Sequence, residues 1–123
     1  MTKSETLYSF FSSFNIPAYE ENRVPLDAEF PYITYDLKTA AFGEQPVSIT
    51  ANIWYHTENN ALPDAKAEEI GRRLGRGGVI LRCSDGAVWF KRGEPFSTAL
   101  EDPTDYRINR RFLNITAEYL TEF

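Results

Sequence analysis

The sequence predicts an α+β fold in which two helices pack on one face of a mostly antiparallel β-sheet, within a single domain over residues 1–123. Two observations lead to this prediction. Apolar residues recur at helical spacing in two segments, and elsewhere apolar and polar residues alternate as they do in strands. The chain of 123 residues is long enough for one hydrophobic core and too short for two. Hydrophobic residues make up 42% of it, which favours a packed interior over disorder.

The first helix begins at Thr2, since Thr2 and Glu5 have the spacing of a capping box. The bulky residues that follow at three- and four-residue spacing are Leu7, Phe10, Phe11 and Phe14. Pro17 ends the helix, because the residue before a proline is disfavoured in the helical region. Residues 15–31 contain three prolines among charged residues, which indicates a long surface connection.

Alternation predicts three long strands. Tyr32–Leu37 is the first, and Val47–His56 is the second, with a loop around Gly43 between them. The chain ends in the strand Tyr106–Leu120. In the last two strands one face is apolar and the other is largely polar, so we expect the sheet to have one buried face.

The second helix lies in the segment 61–92, with Pro63 in its first turn and an apolar stripe formed by Ala67, Ile70 and Leu74. Glycines at 75, 77 and 78 end it. The segments that follow are a strand (Val79–Cys83), a hairpin turn (Ser84–Gly86), a second strand (Ala87–Lys91), a turn (Arg92–Pro95), a short strand (Phe96–Ala99) and an acidic loop (Leu100–Asp105).

No set of residues has the spacing of a catalytic or metal site. His56 is the only histidine and Cys83 the only cysteine, which is too few partners for a zinc centre or a nucleophilic triad. We therefore expect no catalytic residues, no cofactor and no metal. A single cysteine also excludes an internal disulfide. No run of apolar residues is long enough to cross a membrane, and the N-terminus lacks the pattern of a secretory signal, so we expect synthesis in the cytoplasm.

Charge is unevenly distributed along the chain. The net charge of −5 argues against general binding to nucleic acid. Residues 1–63 hold eight carboxylates against three basic side chains, whereas residues 64–123 hold ten of each. The basic residues within 72–92 are Arg72, Arg73, Arg76, Arg82, Lys91 and Arg92. An acidic half beside a basic region suits head-to-tail contact between copies, although a solvated surface explains the same pattern.

Several sequence segments, and the order in which they occur, resemble those of the tail-terminator and tail-completion proteins of long-tailed phages. The helix followed by Ile16-Pro17-Ala18-Tyr19 is similar, as is Phe30-Pro31-Tyr32-Ile33-Thr34-Tyr35. The resemblance extends to the strand that ends in Trp54-Tyr55 and to the last strand with Ala117-Glu118-Tyr119. It also includes the segment in which two glycines are followed by a strand and a hairpin that ends in Val88-Trp89. The resemblance covers nearly the whole chain and consists of pattern and length.

The resemblance implies a ring of copies, typically a hexamer, that caps the tail tube and joins it to a head-completion or connector protein. It implies a place in the tail or neck of a virion, with DNA only passing through the lumen, and no membrane. We expect the loop between Leu37 and Val47, which carries Phe42, or the connection from Arg23 to Phe30 to reach a neighbour. We also expect the basic residues Arg72, Arg73, Arg76 and Arg82 to meet the acidic loop, including Glu101, Asp102 and Asp105, or to face the lumen.

Three alternatives stay open on the sequence. One is a different head–tail connector, neck or minor tail protein. Another, of a different class, is a small enzyme or ligand-binding domain that uses Cys83, His56 or the acidic loops. A deep pocket that holds Cys83 and His56 within hydrogen-bond reach would favour it. The third is a host-directed regulator that acts as a monomer or a dimer.

Overall fold

The computed structural model describes residues 1–123. Its helices are α1 (Lys3–Phe11), which a single 3₁₀ turn (Ser12–Phe14) extends, and α2 (Ala61–Leu74). Its strands are β1 (Ala18–Glu20), β2 (Tyr32–Tyr35), β3 (Val47–His56), β4 (Val79–Cys83), β5 (Gly86–Glu101) and β6 (Ile108–Thr121).

The six strands form one sheet in the order β1-β2-β3-β6-β5-β4. Every neighbouring pair is antiparallel except β1 and β2, which are parallel. The long strands β3, β6 and β5 form its centre. We call the end with the β4–β5 turn the hairpin end and the end with the β5–β6 loop the loop end.

The core lies between the helices and one face of the sheet. All four bulky residues predicted for the stripe of α1 are buried, and so are Ala67, Ile70 and Leu74 of α2. In β6 the buried residues are Leu113, Ile115, Ala117 and Tyr119, as the alternation predicts. The predicted α+β class, with two helices on one face of a mostly antiparallel sheet, is confirmed.

The capping box at the start of α1 is also present. Thr2 accepts a hydrogen bond from the Glu5 backbone N–H, and the Glu5 carboxylate accepts one from the Thr2 N–H. These bonds satisfy two of the N–H groups that a helix start leaves free, and they lower the pKa of Glu5.

The prediction of a turn at Arg92–Pro95 is wrong, because β5 runs unbroken from Gly86 to Glu101. The register changes between Arg92, opposite Ile115, and Ser97, opposite Leu113. Residues 93–96 therefore oppose Asn114 alone, as an enlarged bulge. Gly93 permits this, since a Cβ there would lie 2.6 Å from the Asn114 side-chain carbon.

Two further boundaries differ from the prediction. The first predicted strand ends at Tyr35 instead of Leu37. The Asp36 N–H still donates to the Thr50 carbonyl, but the Thr50 N–H donates to the Asp36 carboxylate instead of to a backbone carbonyl. The connection 15–31 contains the short strand β1, whose parallel pairing with β2 is a long-range contact that periodicity cannot reveal.

Candidate partner-binding surfaces

The basic residues of the segment 72–92 lie on two faces of the molecule. Arg72 and Arg92 face a cleft on the helix side of the sheet. Arg82 is exposed on β4 opposite Ala87, on the sheet face that carries no helix. Arg73 covers the Phe10 and Phe14 rings, and Arg76 is exposed in the turn after α2. A basic region close in sequence is thus divided in space.

The acidic loop lies at the loop end, and two of its three carboxylates hold the loop itself. Asp102 accepts hydrogen bonds from the N–H groups of Thr104 and Asp105 and from the Thr104 hydroxyl. Asp105 accepts from the backbone and side chain of Arg107. Hydrogen bonds from Thr104 and from Arg107 lower the pKa of Asp102 and of Asp105 respectively. Glu101 is exposed and is the loop carboxylate most accessible to a partner.

Arg82 and Glu101 consequently lie at opposite ends of the sheet. Arg82 is next to the β4–β5 turn, whereas Glu101 pairs with Asn109 at the other end of β6. The strand β6 spans residues 108–121, which corresponds to roughly 40 Å at the usual rise per residue.

The two connections that we expected to reach a neighbouring subunit differ in how they are bound to the rest of the chain. The loop before β3 is tied back onto its own chain, since the Phe42 N–H bonds to the Thr121 carbonyl and the Tyr119 hydroxyl bonds to the Lys38 carbonyl. The Phe42 side chain nevertheless stays 75% exposed. Arg23 is exposed beside β1, where it lines a cleft of about 330 Å³ with Tyr8 and Tyr19.

The sheet face that carries no helix has a row of aromatic rings. Tyr19 contacts Tyr32 at 6.0 Å between ring centroids, and Tyr32 stacks on Trp54 at 6.2 Å. The Arg110 guanidinium lies 5.2 Å from the centre of the Trp54 ring. The Trp54 indole donates to the Thr34 hydroxyl. This row crosses four strands and leaves its rings half-buried, a composition typical of protein–protein interfaces.

A second surface, which the sequence did not reveal, is a cleft between α2 and the outer half of β5. We call it the arginine trough. It encloses about 530 Å³ and is lined by Asp64, Ala67, Glu68, Gly71, Arg72, Arg92, Phe96, Ser97 and Arg111. A smaller cleft of about 260 Å³ continues it towards the loop end and shares Arg111.

Arg111 is the one buried charge of the trough, with a side chain only 6% exposed. Its Nε and Nη2 groups donate to the same Asp64 oxygen, and Nη1 donates to the Asn109 amide oxygen. Asn109 in turn donates to Asn60, which precedes α2. The strand alternation contains a signal for this arrangement, because Asn109 and Arg111 share the parity of the apolar residues of β6.

Cys83 and His56 lie far apart. Cys83 is opposite Gly86 at the hairpin end, and His56 is opposite Ile108 at the loop end. His56 is 3.6 Å from the Asp105 carboxylate, and the Cys83 thiol is 3.6 Å from the Asp85 carboxylate. Burial, followed by the hydrogen bond to Asp85, raises the pKa of Cys83. The two side chains thus share no pocket and form no Cys–His pair.

No helix is long and apolar enough to cross a membrane. No group of three or more His, Cys, Asp or Glu side chains is arranged to bind a metal ion. Comparison with family models, with curated proteins and with solved structures gives no significant match to this chain.

Proposed function

We propose that this chain is a structural subunit of a phage or prophage virion, a tail terminator. Its copies form a ring of six that caps the tail tube and joins it to the head-completion or connector protein. The observation that supports this most is that two exposed side chains of opposite charge, Arg82 and Glu101, lie at opposite ends of one sheet. Together with the resemblance in sequence pattern, it favours assembly by repeated contact between unlike surfaces.

A ring requires each copy to present one surface to the neighbour on its left and a different one to the neighbour on its right. Arg82 at the hairpin end and Arg76 in the turn before β4 suit the first surface, and Glu101 at the loop end suits the second. Pairing of Glu101 with Asn109 across β5 and β6 holds the Glu101 backbone in place before contact, which reduces the entropy lost on association.

The aromatic row supplies a surface for a different partner. Half-buried tyrosine and tryptophan rings beside an arginine offer much contact area with few rotatable bonds. In this proposal the row contacts the tail tube or the connector protein. Loss of Trp54 would then weaken attachment of the ring while leaving the ring itself intact.

The decisive experiment is deletion of the gene from the phage or prophage that carries it, followed by electron microscopy of the lysate. Overlong tails without heads, beside separate filled heads, support a terminator. Tails of normal length that lack heads indicate another neck protein instead. Normal infectious particles contradict the proposal of a virion subunit altogether.

Purified protein tests the ring contact directly. Light scattering is expected to give the mass of a ring for the unmodified chain, alone or after addition of tube protein, and a smaller mass for Arg76→Glu. Arg72→Glu is the matched control. Arg72 is also an exposed arginine near the end of α2, but it lines the trough and does not belong to the proposed ring surface. Normal assembly of Arg76→Glu contradicts the assignment of the basic surface.

A further inference from the structure

The outer half of β5 is an open sheet edge. β4 pairs only with residues 86–90 of β5, and no strand lies beyond residues 97–101, whose other side is paired with β6. Ser97, Thr98 and Ala99 are exposed there. The backbone groups of this segment that point away from β6 have no strand to bond with.

This edge lacks the usual protection. Sheet edges are commonly blunted by lysine, by proline, by a bulge or by a covering helix. Pro95 and the bulge precede residues 97–101, and the small side chains within that segment do not shield the backbone. β4 is the edge strand beside the first half of β5. One of its outward carbonyl groups is protected, since the Thr6 hydroxyl of α1 donates to the Arg82 carbonyl.

The arginine trough runs beside the open edge and carries unused hydrogen-bond donors. A guanidinium has five N–H donors. Arg111 directs three of them to Asp64 and Asn109, which leaves two without an acceptor in this chain. Arg72 is paired only with Glu68, at 3.7 Å between two side chains that are both more than 70% exposed, and such a pair is weak. Arg92 lies over the Phe96 ring.

We propose that the open edge of β5 and the arginine trough together bind an extended peptide segment that carries carboxylate side chains, supplied by a partner protein. The segment adds a strand beside Ser97–Glu101, so that its backbone bonds to the edge. Its alternate side chains then point to the helix side of the sheet, where Arg72, Arg92 and Arg111 lie.

The distances suit this arrangement. An added strand lies about two strand spacings, or ~10 Å, from β6, which the side chains of an arginine and a glutamate can span together. A planar guanidinium can donate to both oxygens of one carboxylate, so a correctly placed glutamate accepts from both free donors of Arg111. Three positive side chains against Asp64 and Glu68 leave the trough one positive charge in excess, and Glu101 lies beyond it, in the smaller cleft that shares Arg111.

This inference does not depend on the proposed ring, whose basic surface we assign to Arg76 and Arg82, outside the trough. Glu101 is the one residue that both proposals use. A failure of ring assembly leaves peptide binding intact, and a failure of peptide binding leaves the ring intact. The two proposals therefore fail separately.

The test is an NMR titration of the isotope-labelled chain with two synthetic peptides at up to millimolar concentration. The first probe is acetyl-Thr-Glu-Val-Glu-Val-Glu-Thr-amide, and the second replaces each glutamate by glutamine. We expect the glutamate peptide to shift the backbone amides of residues 97–101 and the side-chain signal of Arg111, with at least about tenfold tighter binding than the glutamine peptide.

Variants on exposed positions keep the test independent of folding. Arg72→Gln and Arg92→Gln, separately and together, are expected to weaken binding of the glutamate peptide, by about tenfold for the double variant. Arg73→Gln is the matched control, because Arg73 is also exposed at the end of α2 but covers the Phe10 and Phe14 rings outside the trough. It should bind as the unmodified chain does.

Three outcomes of the peptide titration overturn the proposal. They are equal binding of the two peptides, shifts at the arginines without shifts at residues 97–101, and an absence of binding at millimolar peptide. Loss of the 97–101 signals on raising the protein concentration without peptide also overturns it, since the occupant of the edge would then be a second copy of this chain.

Discussion

Gly71 of α2 and Phe96 of β5 are in direct contact. A Cβ built at Gly71 would lie 3.2 Å from the Phe96 ring. The bulge at residues 93–96 brings this ring onto the helix, and the absence of a side chain at 71 lets it approach. This contact forms one wall of the arginine trough and sets the separation of α2 from the outer half of β5.

Substitution of Gly71 should therefore depend on size. Gly71→Ala gains up to about 1 kcal/mol of helix propensity, and the half-buried Phe96 ring can tilt outwards by the small distance required. We expect little change or a slight rise in the free energy of unfolding. Gly71→Val should destabilise by about 1–3 kcal/mol, because the larger group displaces the ring.

Urea denaturation measures both effects, and the double variant Gly71→Val/Phe96→Ala serves as the control. Removal of the ring should recover part of the loss caused by valine. If Gly71→Val destabilises equally with and without Phe96, the contact does not account for the glycine.

The ion pair of Arg111 and Asp64 gives a second prediction. Asp64→Ala leaves the buried guanidinium with Asn109 as its only partner. We expect a loss of about 1–3 kcal/mol in the free energy of unfolding, at the scale of hydrogen bonds to charged groups, since Asp64 is itself largely exposed and its pairing is partly screened.

Glu68→Ala is the matched control for Asp64. It removes a carboxylate one helical turn further along α2 whose partner, Arg72, is exposed. The expected change is within about 0.5 kcal/mol. Equal losses for the two variants in urea denaturation would contradict a special role for the buried arginine.

Arg111 also marks the limit of sequence reasoning for this chain. Alternation in β6 correctly assigned the buried residues Leu113, Ile115, Ala117 and Tyr119. By the same parity Arg111 falls on the buried face, but no feature of the neighbouring sequence identifies its hydrogen-bond partner. Asp64 is 47 residues away and meets Arg111 only because α2 crosses β6.

The bulge in β5 was missed for the opposite reason. Locally, Gly93-Glu94-Pro95 has the composition of a turn, and a turn there would send the chain back along its own path. Pairing of residues 97–101 with β6 keeps the strand direction, and this long-range contact outweighs the local preference. The open edge and the trough both follow from that bulge, so neither could be predicted.

The glycines after α2 are not equivalent. Gly78 has φ of +77°, and a Cβ there would lie 2.3 Å from the Phe90 carbonyl oxygen. Gly77 has nothing within 4 Å of the corresponding position. We expect Gly78→Ala to lower the free energy of unfolding by more than about 2 kcal/mol, because both the backbone conformation and the contact become unfavourable.

Gly77→Ala is the control, with an expected change within about 1 kcal/mol, since only the conformational freedom of the unfolded chain is altered. Thermal unfolding of the two variants provides the comparison. Similar melting temperatures would show that β4 can move away from Phe90 at little cost.

Two buried tyrosines predict the behaviour of the fold at high pH. The pKa of Tyr35 and the pKa of Tyr119 are each raised from the ordinary value of 10.0 to about 12, mainly because the side chains are buried. Between these values the unfolded chain has released protons that the folded chain still holds. The free energy of unfolding should therefore be independent of these groups below about pH 9 and fall as the pH rises from about 10 towards 12.

Urea denaturation between pH 8 and 11.5 tests this dependence. In Tyr119→Phe the fall should be shallower, because one of the two groups is gone. At pH 8 this variant should be less stable by about 1 kcal/mol, since the Lys38 carbonyl loses its donor. Tyr106→Phe, at an exposed ring, should leave the pH dependence unchanged. An equally steep fall in Tyr119→Phe would mean that other groups destabilise the fold at high pH.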